Sequence, residues 1–325
     1  MSGITPRKVN YLRLSITDRC NLRCFYCIPS GEWEKLPAPE ILRYEEMLHL
    51  ARVAVAQGIR KIRVTGGEPL VRRGVVEFIQ RLHQVKGLQE ICLTTNGVRL
   101  GEMAPALYAG GLRHLNLSLD TLRRERYQEL TGRDHFLEVM AGLEQAASLG
   151  FNPIKINCVV LKDLNDDELE DFARLARERP FQVRFIEFMP TVSRGRWTRH
   201  FLPMTEVRQR LAVLGPGEPV AQEPVAGPAR IFRFPGFRGE LGFISAISDH
   251  QCTKCNRIRL TAAGRLRPCL FGGAEIDLKG PLRQGASDSA LGDLFQAAIR
   301  LKAQKPRFDY PDTPLSCHQM VSIGG

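Results

Sequence analysis

Three cysteines near the N-terminus have the residue type and spacing of ligands for an iron–sulfur cluster. Cys20, Cys24 and Cys27 are separated by three and then two residues, in a polar, basic segment that follows a short apolar run. Thiolates favour iron–sulfur clusters, zinc or cuprous copper, and a [4Fe–4S] cluster held by protein alone takes four of them. A trio therefore predicts a cluster with one iron open to a small molecule. A zinc site completed by a distant residue and a redox dithiol are the alternatives.

A second trio of cysteines lies in the C-terminal third of the chain. Cys252 and Cys255 form a CxxC motif, and Cys269 follows after thirteen intervening residues. A structural zinc site needs four ligands, so His250 or Cys317 would have to complete it. We favour a second cluster with another open iron, and we expect the two trios to face one another across a single cavity.

Two arginines support the second cluster over zinc. Arg257 and Arg259 alternate along a predicted strand. This strand is expected to form a hairpin, with its two arms over 258–261 and 265–270 and its turn at 262–264. Alternate residues of a strand share a face, so these side chains form one cationic wall beside the cysteines. Such a wall suits an anionic ligand of the open iron.

Apolar, β-branched runs alternate with amphipathic segments along the first 190 residues. The strands are predicted over 11–17, 59–65, 90–96, 114–120, 153–161 and 183–189, and the helices over 40–57, 74–85, 101–109, 136–149 and 166–177. This alternation predicts a parallel sheet covered by helices. Six units fall short of a closed eightfold barrel, so we predict an α/β fold with an open, partial (β/α)6 TIM-like barrel. A flat, doubly wound sheet is the alternative. Candidate groups at the C-terminal strand ends favour the barrel.

The pattern changes after residue 190. Residues 191–235 are richer in Pro, Gly and Arg, with one helix predicted over 205–213 and no further βα unit. The sequence therefore predicts two parts. Residues 1–190 form the barrel with the first trio, and residues 191–325 form a C-terminal lobe that carries the second trio and covers the barrel mouth.

Glycines and hydroxyls follow the second and third predicted strands. Gly66 and Gly67 precede Glu68 and Pro69, and paired glycines let the backbone approach a ligand closely. The hydroxyl of Thr94 can bind a base or a ribose, and capping its turn is the alternative role.

The later strand ends carry weaker signals. Ser118 can face a carboxylate or a ribose, while Asp120 is expected to cap the following segment. Met189 can form an apolar wall for a base, although a buried methionine also serves as core. Cys92 and Cys158 lie within predicted strands and are interpreted as core residues.

The charge of the chain predicts an anionic partner. The 325 residues include 46 Lys and Arg against 35 Asp and Glu, a net charge of +11. Arg13, Arg63 and Lys155 sit singly at strand positions, where a buried cation needs a counter-charge. Phosphates would supply it. No nucleic-acid-binding motif is apparent, so we expect no nucleic-acid partner.

The cysteine usage and the hydropathy predict a cytoplasmic protein. The nine cysteines are odd in number and six of them form the two trios, while Cys92, Cys158 and Cys317 are scattered, which indicates metal ligation instead of a disulfide framework. The N-terminus lacks the apolar stretch of a signal peptide, and no window is long and apolar enough to span a bilayer. We therefore expect no membrane association.

Two motifs together resemble the signature of the radical S-adenosylmethionine (SAM) enzymes. They are the first trio, with the aromatic Tyr26 before its last cysteine, and the Gly-Gly-Glu-Pro segment 66–69. The resemblance implies a [4Fe–4S] cluster whose open iron chelates the amino and carboxylate groups of SAM. Electron transfer into the sulfonium would then release a 5′-deoxyadenosyl radical.

Over essentially the whole chain, the sequence resembles the GTP 3′,8-cyclases of molybdenum cofactor biosynthesis. The resemblance is carried by both trios, the Cys-Asn-Arg-x-Arg-Leu-Thr run that begins at Cys255, and the terminal Gly324 and Gly325. It implies two [4Fe–4S] clusters, of which the second holds the guanine of GTP. The radical would remove the ribose C3′ hydrogen, and C3′ would then attack guanine C8 to give (8S)-3′,8-cyclo-7,8-dihydroguanosine 5′-triphosphate.

The same resemblance assigns roles to individual residues. The implied SAM contacts are Tyr26, Gly67, Ser118 and Met189. The implied GTP contacts are Arg13, Arg63, Thr94, Lys155, Arg257, Ile258 and Arg259. The implied catalytic residues are Arg257, Arg259, Gly324 and Gly325. The chain departs from the family pattern at Val321, where the tail usually has Ser, and at Ala263, where the hairpin often has Asp.

The resemblance also implies partners. They are the substrate GTP, an external electron donor and a downstream cyclic pyranopterin monophosphate synthase, with a homodimer as an option. Two other functions stay open. A peptide-modifying radical SAM maturase would be expected to carry more C-terminal cysteines, and a zinc- and nucleic-acid-binding protein would use the trios as zinc sites.

Overall fold

The computed structural model of the chain describes residues 8–28, 34–221, 225–249, 252–304 and 320. The strands are β1 (Tyr11–Ser15), β2 (Lys61–Thr65), β3 (Glu90–Thr95), β4 (His114–Ser118), β5 (Ile154–Val160), β6 (Gln182–Glu187), β7 (Glu218–Pro219), β8 (Arg230–Arg233), β9 (Glu240–Ile244), β10 (Arg257–Leu260), β11 (Arg265–Arg267) and β12 (Ile276–Asp277). The helices are α1 (Tyr44–Ala56), α2 (Val75–His83), α3 (Leu100–Ala109), α4 (Arg124–Thr131), α5 (Phe136–Ser148), α6 (Leu169–Glu178), α7 (Arg194–His200), α8 (Met204–Arg210), α9 (Lys279–Arg283) and α10 (Asp288–Gln304).

All the strands in the described part of the chain belong to one 12-stranded sheet. Strands β1 to β6 are parallel neighbours in chain order, each followed by at least one helix, which confirms the predicted partial α/β barrel. The sheet is wider than predicted, because β10 pairs in parallel with β1 and β9 pairs in parallel with β6. Antiparallel strands β11 and β12 extend one edge, and β8 and β7 extend the other.

The strands place an apolar face against the helices and a polar face inside the barrel. In β1, Leu12 and Leu14 are buried in the main hydrophobic core, whereas Tyr11 and Arg13 lie on the opposite face. The same alternation runs through β2, where Ile62 and Val64 join that core. Because side chains alternate across a strand, packing the helices outside turns the charged residues inward.

The segment that follows β6 differs from the expectation of a lobe without a βα unit. Two helices, α7 and α8, separate β6 from β9, and β9 lies parallel beside β6. The hairpin of β7 and β8 is inserted between them and masks the repeat in the sequence. Helix α4 was also not predicted, because its segment is mainly polar and shows little apolar periodicity.

A buried carboxylate fastens this later part of the chain to the barrel. Glu187, at the end of β6, is fully buried and accepts hydrogen bonds from the backbone N–H groups of Met204 (2.7 Å), Ile247 (2.8 Å) and Ser248 (2.9 Å). Charge-assisted bonds of this kind are stronger than neutral ones. One side chain therefore holds both α8 and the segment after β9.

The hairpin between β10 and β11 has the predicted turn. Gly264 has a φ of +76°, a conformation that glycine adopts without strain, and a Cβ there would lie 2.7 Å from the Cβ of Lys279.

Among the helices that the structure describes, none is both long and apolar enough to cross a membrane.

Candidate functional site

The first cysteine trio lies in a loop that follows β1. The N–H of Cys27 donates to the carbonyl of Cys24 at 2.9 Å, which folds the loop into a turn. The N–H of Leu22 donates to the Sγ of Cys20 at 3.4 Å, as a backbone donor can to a cluster ligand. Parallel strands end at one edge of the sheet, so this loop meets the segments that follow β2, β3 and β4.

The Gly-Gly-Glu-Pro segment is bonded directly to this loop. The N–H of Gly67 donates to the carbonyl of Thr17 at 2.7 Å, and the N–H of Glu68 donates to the carbonyl of Arg19 at 2.7 Å. A Cβ on Gly66 would lie 2.7 Å from the same Thr17 oxygen. Glycine is required here because the two backbones approach too closely for a side chain.

Glu68 organises the end of β3. Its carboxylate accepts from the hydroxyl of Thr95 at 2.8 Å and from the N–H groups of Asn96 at 2.7 Å and Leu70 at 2.9 Å. Burial raises the pKa of Glu68 to about 7 in spite of these bonds. Thr94, one residue earlier, accepts a hydrogen bond from the guanidinium of Arg63 at 3.2 Å. Its hydroxyl therefore faces the barrel interior.

Tyr26 connects the cysteine loop to the end of β4. Its hydroxyl donates to Asp120, whose other carboxylate oxygen accepts from the N–H of Val159 at 2.8 Å. Burial raises the pKa of Asp120 to about 6. The prediction that Asp120 caps the following segment is therefore wrong, because its carboxylate joins the loop to β5. A local capping pattern gave no sign of this contact with a residue 94 positions away.

Two thiols of the first trio are buried beside negative groups and so are harder to ionise. Burial, followed by the nearby Glu68, raises the pKa of Cys20 to about 11, and burial followed by Cys27 raises the pKa of Cys24. Thiolates crowded together in a buried loop need positive charge to ionise. Iron would supply that charge, so the residues present fit a cluster.

The second trio lies at the start of β10. The N–H of Cys255 donates to the carbonyl of Cys252 at 3.2 Å, and the ammonium of Lys302 donates to the Sγ of Cys255 at 3.3 Å. Burial opposes the thiolate, but Arg257 and then Lys302 lower the pKa of Cys255 to about 6. The second trio is therefore set in a cationic environment, which also fits thiolate ligands of iron.

The sulfurs of both trios are spread more widely than a single ion requires. Tetrahedral zinc with bonds of about 2.3 Å would bring its sulfur ligands to about 3.8 Å from one another. Among the described residues, no three of the cysteine sulfurs lie within 4.8 Å of one another. No three of the described cysteine sulfurs therefore stand at the spacing of a single tetrahedral zinc ion.

The two trios lie at opposite ends of the barrel. Cys252 and Cys255 precede β10, which runs parallel to β1, so they lie where the strands begin. Cys269 follows β11, which is antiparallel to β10 and leads back to the same end. The expectation that every candidate group lies at the C-terminal strand ends is therefore wrong for the second trio.

The distance between the two ends follows from β1. Its five residues span about 13 Å, with the first trio beyond one end. At the other end, the N–H of Tyr11 donates to the carbonyl of Asn256 at 3.2 Å, next to Cys255. The two trios thus face each other along the barrel axis, and the inner face of the strands lies between them.

That inner face carries a dense cluster of cations. Register places Arg13 of β1 between Arg63 of β2 and Arg259 of β10, which the sequence had predicted only as separate strand positions. We call the whole group the cationic cluster. Its members are Arg13, Lys61, Arg63, Lys155, Arg184, Arg257 and Arg259.

The members of the cationic cluster repel one another. Burial and the neighbouring Arg184 lower the pKa of Lys155 to about 7. Burial and nearby arginines lower the pKa of Arg259 and of Arg184 to about 10, and they also lower the pKa of Arg13. A buried set of like charges is costly until an anion joins it. The lowered pKa values of these four residues therefore indicate an interior that would favour an added anion.

Lys61 and Arg184 are members that the sequence reasoning missed. Lys61 precedes the predicted Arg63 by two residues on the same strand face, which was a usable signal. Arg184 stands beside Asn157 of β5 in the register and near Lys155, and no local pattern indicated that contact.

Glu90, Cys92 and His114 form another group of metal-ligand types within 4.8 Å. Their surroundings do not suit a cation, because the Nζ of Lys61 lies 2.7 Å from the Oε1 of Glu90. Cys92 also donates to that oxygen, at 3.0 Å. Burial alone would raise the pKa of Glu90, but Lys61 lowers it overall, so the carboxylate serves as a counter-ion at the floor of the cationic cluster.

Some of the remaining predicted residues lie in the described part of the chain and the others lie outside it. Ser118 ends β4 and Met189 follows β6, so both lie at the same strand ends as the first trio, and both are partly buried. Ile258 is fully buried in the core. The predicted residues outside the described part of the chain are His250, Cys317, Val321, Gly324 and Gly325.

Comparison with known families agrees with this arrangement. Residues 14–176 match the model of the radical SAM superfamily, and residues 181–308 match the model described as Molybdenum Cofactor Synthesis C. Among solved structures, Streptococcus suis SuiB bound to S-adenosylmethionine is similar in fold, with a TM-score of 0.59 and 14% identity over 89% of this chain and 68% of that one.

Relatives with higher identity span the full length of the chain. The GTP 3′,8-cyclase of Moorella thermoacetica is 48% identical over 93% of this chain and 94% of its own length. That of Pelotomaculum thermopropionicum is 46% identical over 100% of both chains. Mouse molybdenum cofactor biosynthesis protein 1 is 41% identical over 98% of this chain and 50% of its own length. The chain therefore belongs to the GTP 3′,8-cyclase family of radical SAM enzymes.

Proposed function

We propose that the protein is a radical SAM lyase that converts GTP to (8S)-3′,8-cyclo-7,8-dihydroguanosine 5′-triphosphate, the first step of molybdenum cofactor biosynthesis. The observation that carries the proposal is the cationic cluster between two three-cysteine sets. A triphosphate supplies several negative charges, and guanidinium groups match phosphate oxygens with paired donors. The family match provides the reaction that such a ligand would undergo.

An iron–sulfur cluster and SAM are the cofactors, in keeping with the radical SAM superfamily. We assign that cluster to Cys20, Cys24 and Cys27, and a second [4Fe–4S] cluster to Cys252, Cys255 and Cys269. When bound, these groups would supply a 5′-deoxyadenosyl radical at one end of the barrel and a ligand position for guanine at the other. Each trio leaves one iron open if the cluster contains four.

The residues around the first trio would hold SAM. Gly67 follows β2 and Ser118 ends β4, two strands apart in the sheet, and the hydroxyl of Tyr26 is bonded to Asp120. Met189 would cover the adenine. Because these residues are tied to buried strands, the loop keeps its geometry while a ligand binds and leaves.

The cationic cluster would hold GTP. Arg257, Ile258 and Arg259 would lie against the guanine end of the nucleotide, next to the second trio. Arg13, Arg63 and Lys155 would bind phosphates with Lys61 and Arg184, and Thr94 would meet the ribose. The ribose then lies inside the barrel, where the surrounding strands exclude water from a carbon radical.

Several further assignments belong to the same proposal. Residues 1–190 would be the barrel domain and residues 191–325 the C-terminal lobe, with Gly324 and Gly325 reaching the active site. An external electron donor would reduce the clusters, and a cyclic pyranopterin monophosphate synthase would take up the product. A homodimer is part of the family expectation.

The test is whether GTP drives SAM cleavage. Protein reconstituted anaerobically with iron and sulfide is incubated with a reductant, SAM and either GTP, ATP or no nucleotide. We expect 5′-deoxyadenosine to rise above the slow cleavage seen without nucleotide only when GTP is present, together with the cyclised nucleotide. If 5′-deoxyadenosine does not rise when GTP is added, the cyclase assignment is wrong.

Cysteine variants separate the two ends of the barrel. Cys24→Ser is expected to abolish SAM cleavage under all conditions. Cys269→Ser is expected to keep the slow cleavage without nucleotide and to lose the response to GTP. Cys158→Ala is the matched control, because this cysteine is buried but belongs to neither trio.

A further inference from the structure

Lys302 occupies an unusual position for a lysine. It lies on the buried face of α10, four residues after Ala298 and seven after Phe295, both of which are fully buried. The side chain of Lys302 is itself buried, with 6% exposure. Burying an ammonium group is costly unless an anion or several acceptors receive it. The position therefore requires an explanation beyond packing.

The ammonium of Lys302 contacts both segments of the second trio. It donates to the Sγ of Cys255 at 3.3 Å and to the carbonyl of Pro268 at 3.0 Å. Pro268 is the residue before Cys269, so one group ties the CxxC motif to the third cysteine. A neutral thiol is a weak acceptor, whereas a metal-bound thiolate carries the negative charge that an ammonium group can stabilise.

At the first trio, the hydrogen-bond donors to the sulfur of Cys20 are of a different kind. The Sγ of Cys20 receives the backbone N–H of Leu22 at 3.4 Å and the amide of Asn96 at 3.9 Å, and both donors are neutral. Hydrogen bonds and charge near the sulfur ligands are known to shift the reduction potentials of iron–sulfur clusters. The two ends of the barrel are therefore built differently.

We propose that Lys302 is a positioning residue for the second cluster, which fixes the sulfur of Cys255 relative to the Cys269 segment and raises the reduction potential of the bound cluster. The proposal rests on the two-cluster assignment made above. Reduction adds an electron, and hence negative charge, to the cluster. A positive donor at a ligand sulfur stabilises that reduced form more than the oxidised form.

The test isolates the second cluster in the full-length chain. In a background where Cys20, Cys24 and Cys27 are replaced by serine, only the second trio can hold iron. Lys302→Met keeps an unbranched apolar side chain but removes the ammonium group. Lys302→Arg keeps the charge, and Arg300→Gln is the matched control, because Arg300 is exposed on the same helix. Iron content and a redox titration followed by electron paramagnetic resonance are measured for each.

We expect the background protein and Arg300→Gln to hold about four irons per chain with the same potential. Lys302→Met should lower the reduction potential of the cluster by at least about 59 mV. For a one-electron couple, this shift lowers the ratio of reduced to oxidised cluster tenfold at a given applied potential. Lys302→Arg should restore most of the difference. Loss of iron in Lys302→Met but not in Lys302→Arg would support the positioning role as well.

Two outcomes would overturn the proposal. An unchanged potential in iron-loaded Lys302→Met would show that the ammonium group does not influence the cluster. Equal loss of iron in Lys302→Met and Lys302→Arg would show that only the shape of the side chain matters. If the background protein itself binds no iron, the two-cluster assignment has failed, and this result is distinguishable because it precedes any change at Lys302.

Discussion

Lys155 gives the sharpest prediction, because its charge should depend on whether the anion site is filled. Burial and the neighbouring Arg184 lower its pKa from 10.5 to about 7 in the free protein. A bound triphosphate adds negative charge beside it and favours the protonated form. GTP affinity should therefore fall as the pH rises above 7.

The size of the effect follows from linkage. If the complex restores the ordinary pKa of 10.5, the free protein must take up a proton on binding at any pH between the two values. From pH 7 to pH 9 the charged fraction of Lys155 in the free protein falls from about one half to about 1%, so the affinity should fall about 50-fold, or about 2.3 kcal/mol. At pH 8 binding should take up about 0.9 proton.

Three of the groups that face Lys155 from neighbouring strands have pKa values shifted by burial. On β6, Arg184 has a pKa of about 10. Burial raises the pKa of the Cys92 thiol on β3 above its usual value, and burial lowers the pKa of His114 on β4. Lys61 and Arg63 of β2 also face this site. A proton taken up near pH 8 is therefore assigned to Lys155.

The assay is isothermal titration calorimetry of the reconstituted protein with GTP, in buffers with different ionisation enthalpies. Lys155→Met should bind GTP more weakly at pH 7 and take up no proton at pH 8. Lys162→Met is the control, because this lysine follows β5 but is exposed. The reasoning is refuted if the parent protein and Lys155→Met have the same proton uptake and the same dependence on pH.

Four other substitutions test the site and its support. Arg257→Ala and Arg259→Ala should each weaken GTP binding about 10- to 100-fold, measured by calorimetry, while SAM cleavage without GTP stays largely intact. Gly66→Ala should destabilise the fold by about 1–3 kcal/mol in urea denaturation, since its Cβ would meet the carbonyl of Thr17. Glu187→Gln should cost about 3 kcal/mol in the same assay, because an amide cannot accept all three backbone donors.

Each of these changes has a matched control. Arg265→Ala removes an exposed arginine from the strand next to β10 and should leave GTP binding unchanged. Gly195→Ala adds a Cβ with no atom within 4 Å and should not lower stability. Glu178→Gln replaces an exposed carboxylate with little effect. Equal loss of GTP binding and SAM cleavage in the arginine variants would mean that these side chains support the cluster instead.

The sequence by itself determined the chemistry of the first trio and the class of fold. Cys20, Cys24 and Cys27 lie in one short loop, so their spacing along the chain fixes the number of ligands that can converge. The alternation of apolar runs and amphipathic segments predicted the parallel strands. Each strand has apolar residues that pack against the helices, such as Leu12 of β1 and Ile62 of β2. The cysteine spacing and the strand pattern are both set by residues close to one another in the sequence.

The tertiary structure decided where the second trio lies and what surrounds it. The pairing of β10 with β1 joins residues about 246 positions apart, and it places Cys255 at the opposite end of the barrel from Cys20. It also brings Arg259 beside Arg13, and the packing of α10 brings Lys302 to the sulfur of Cys255. Local patterns contain no register between distant strands, so only the folded chain shows how separate cations become one anion site.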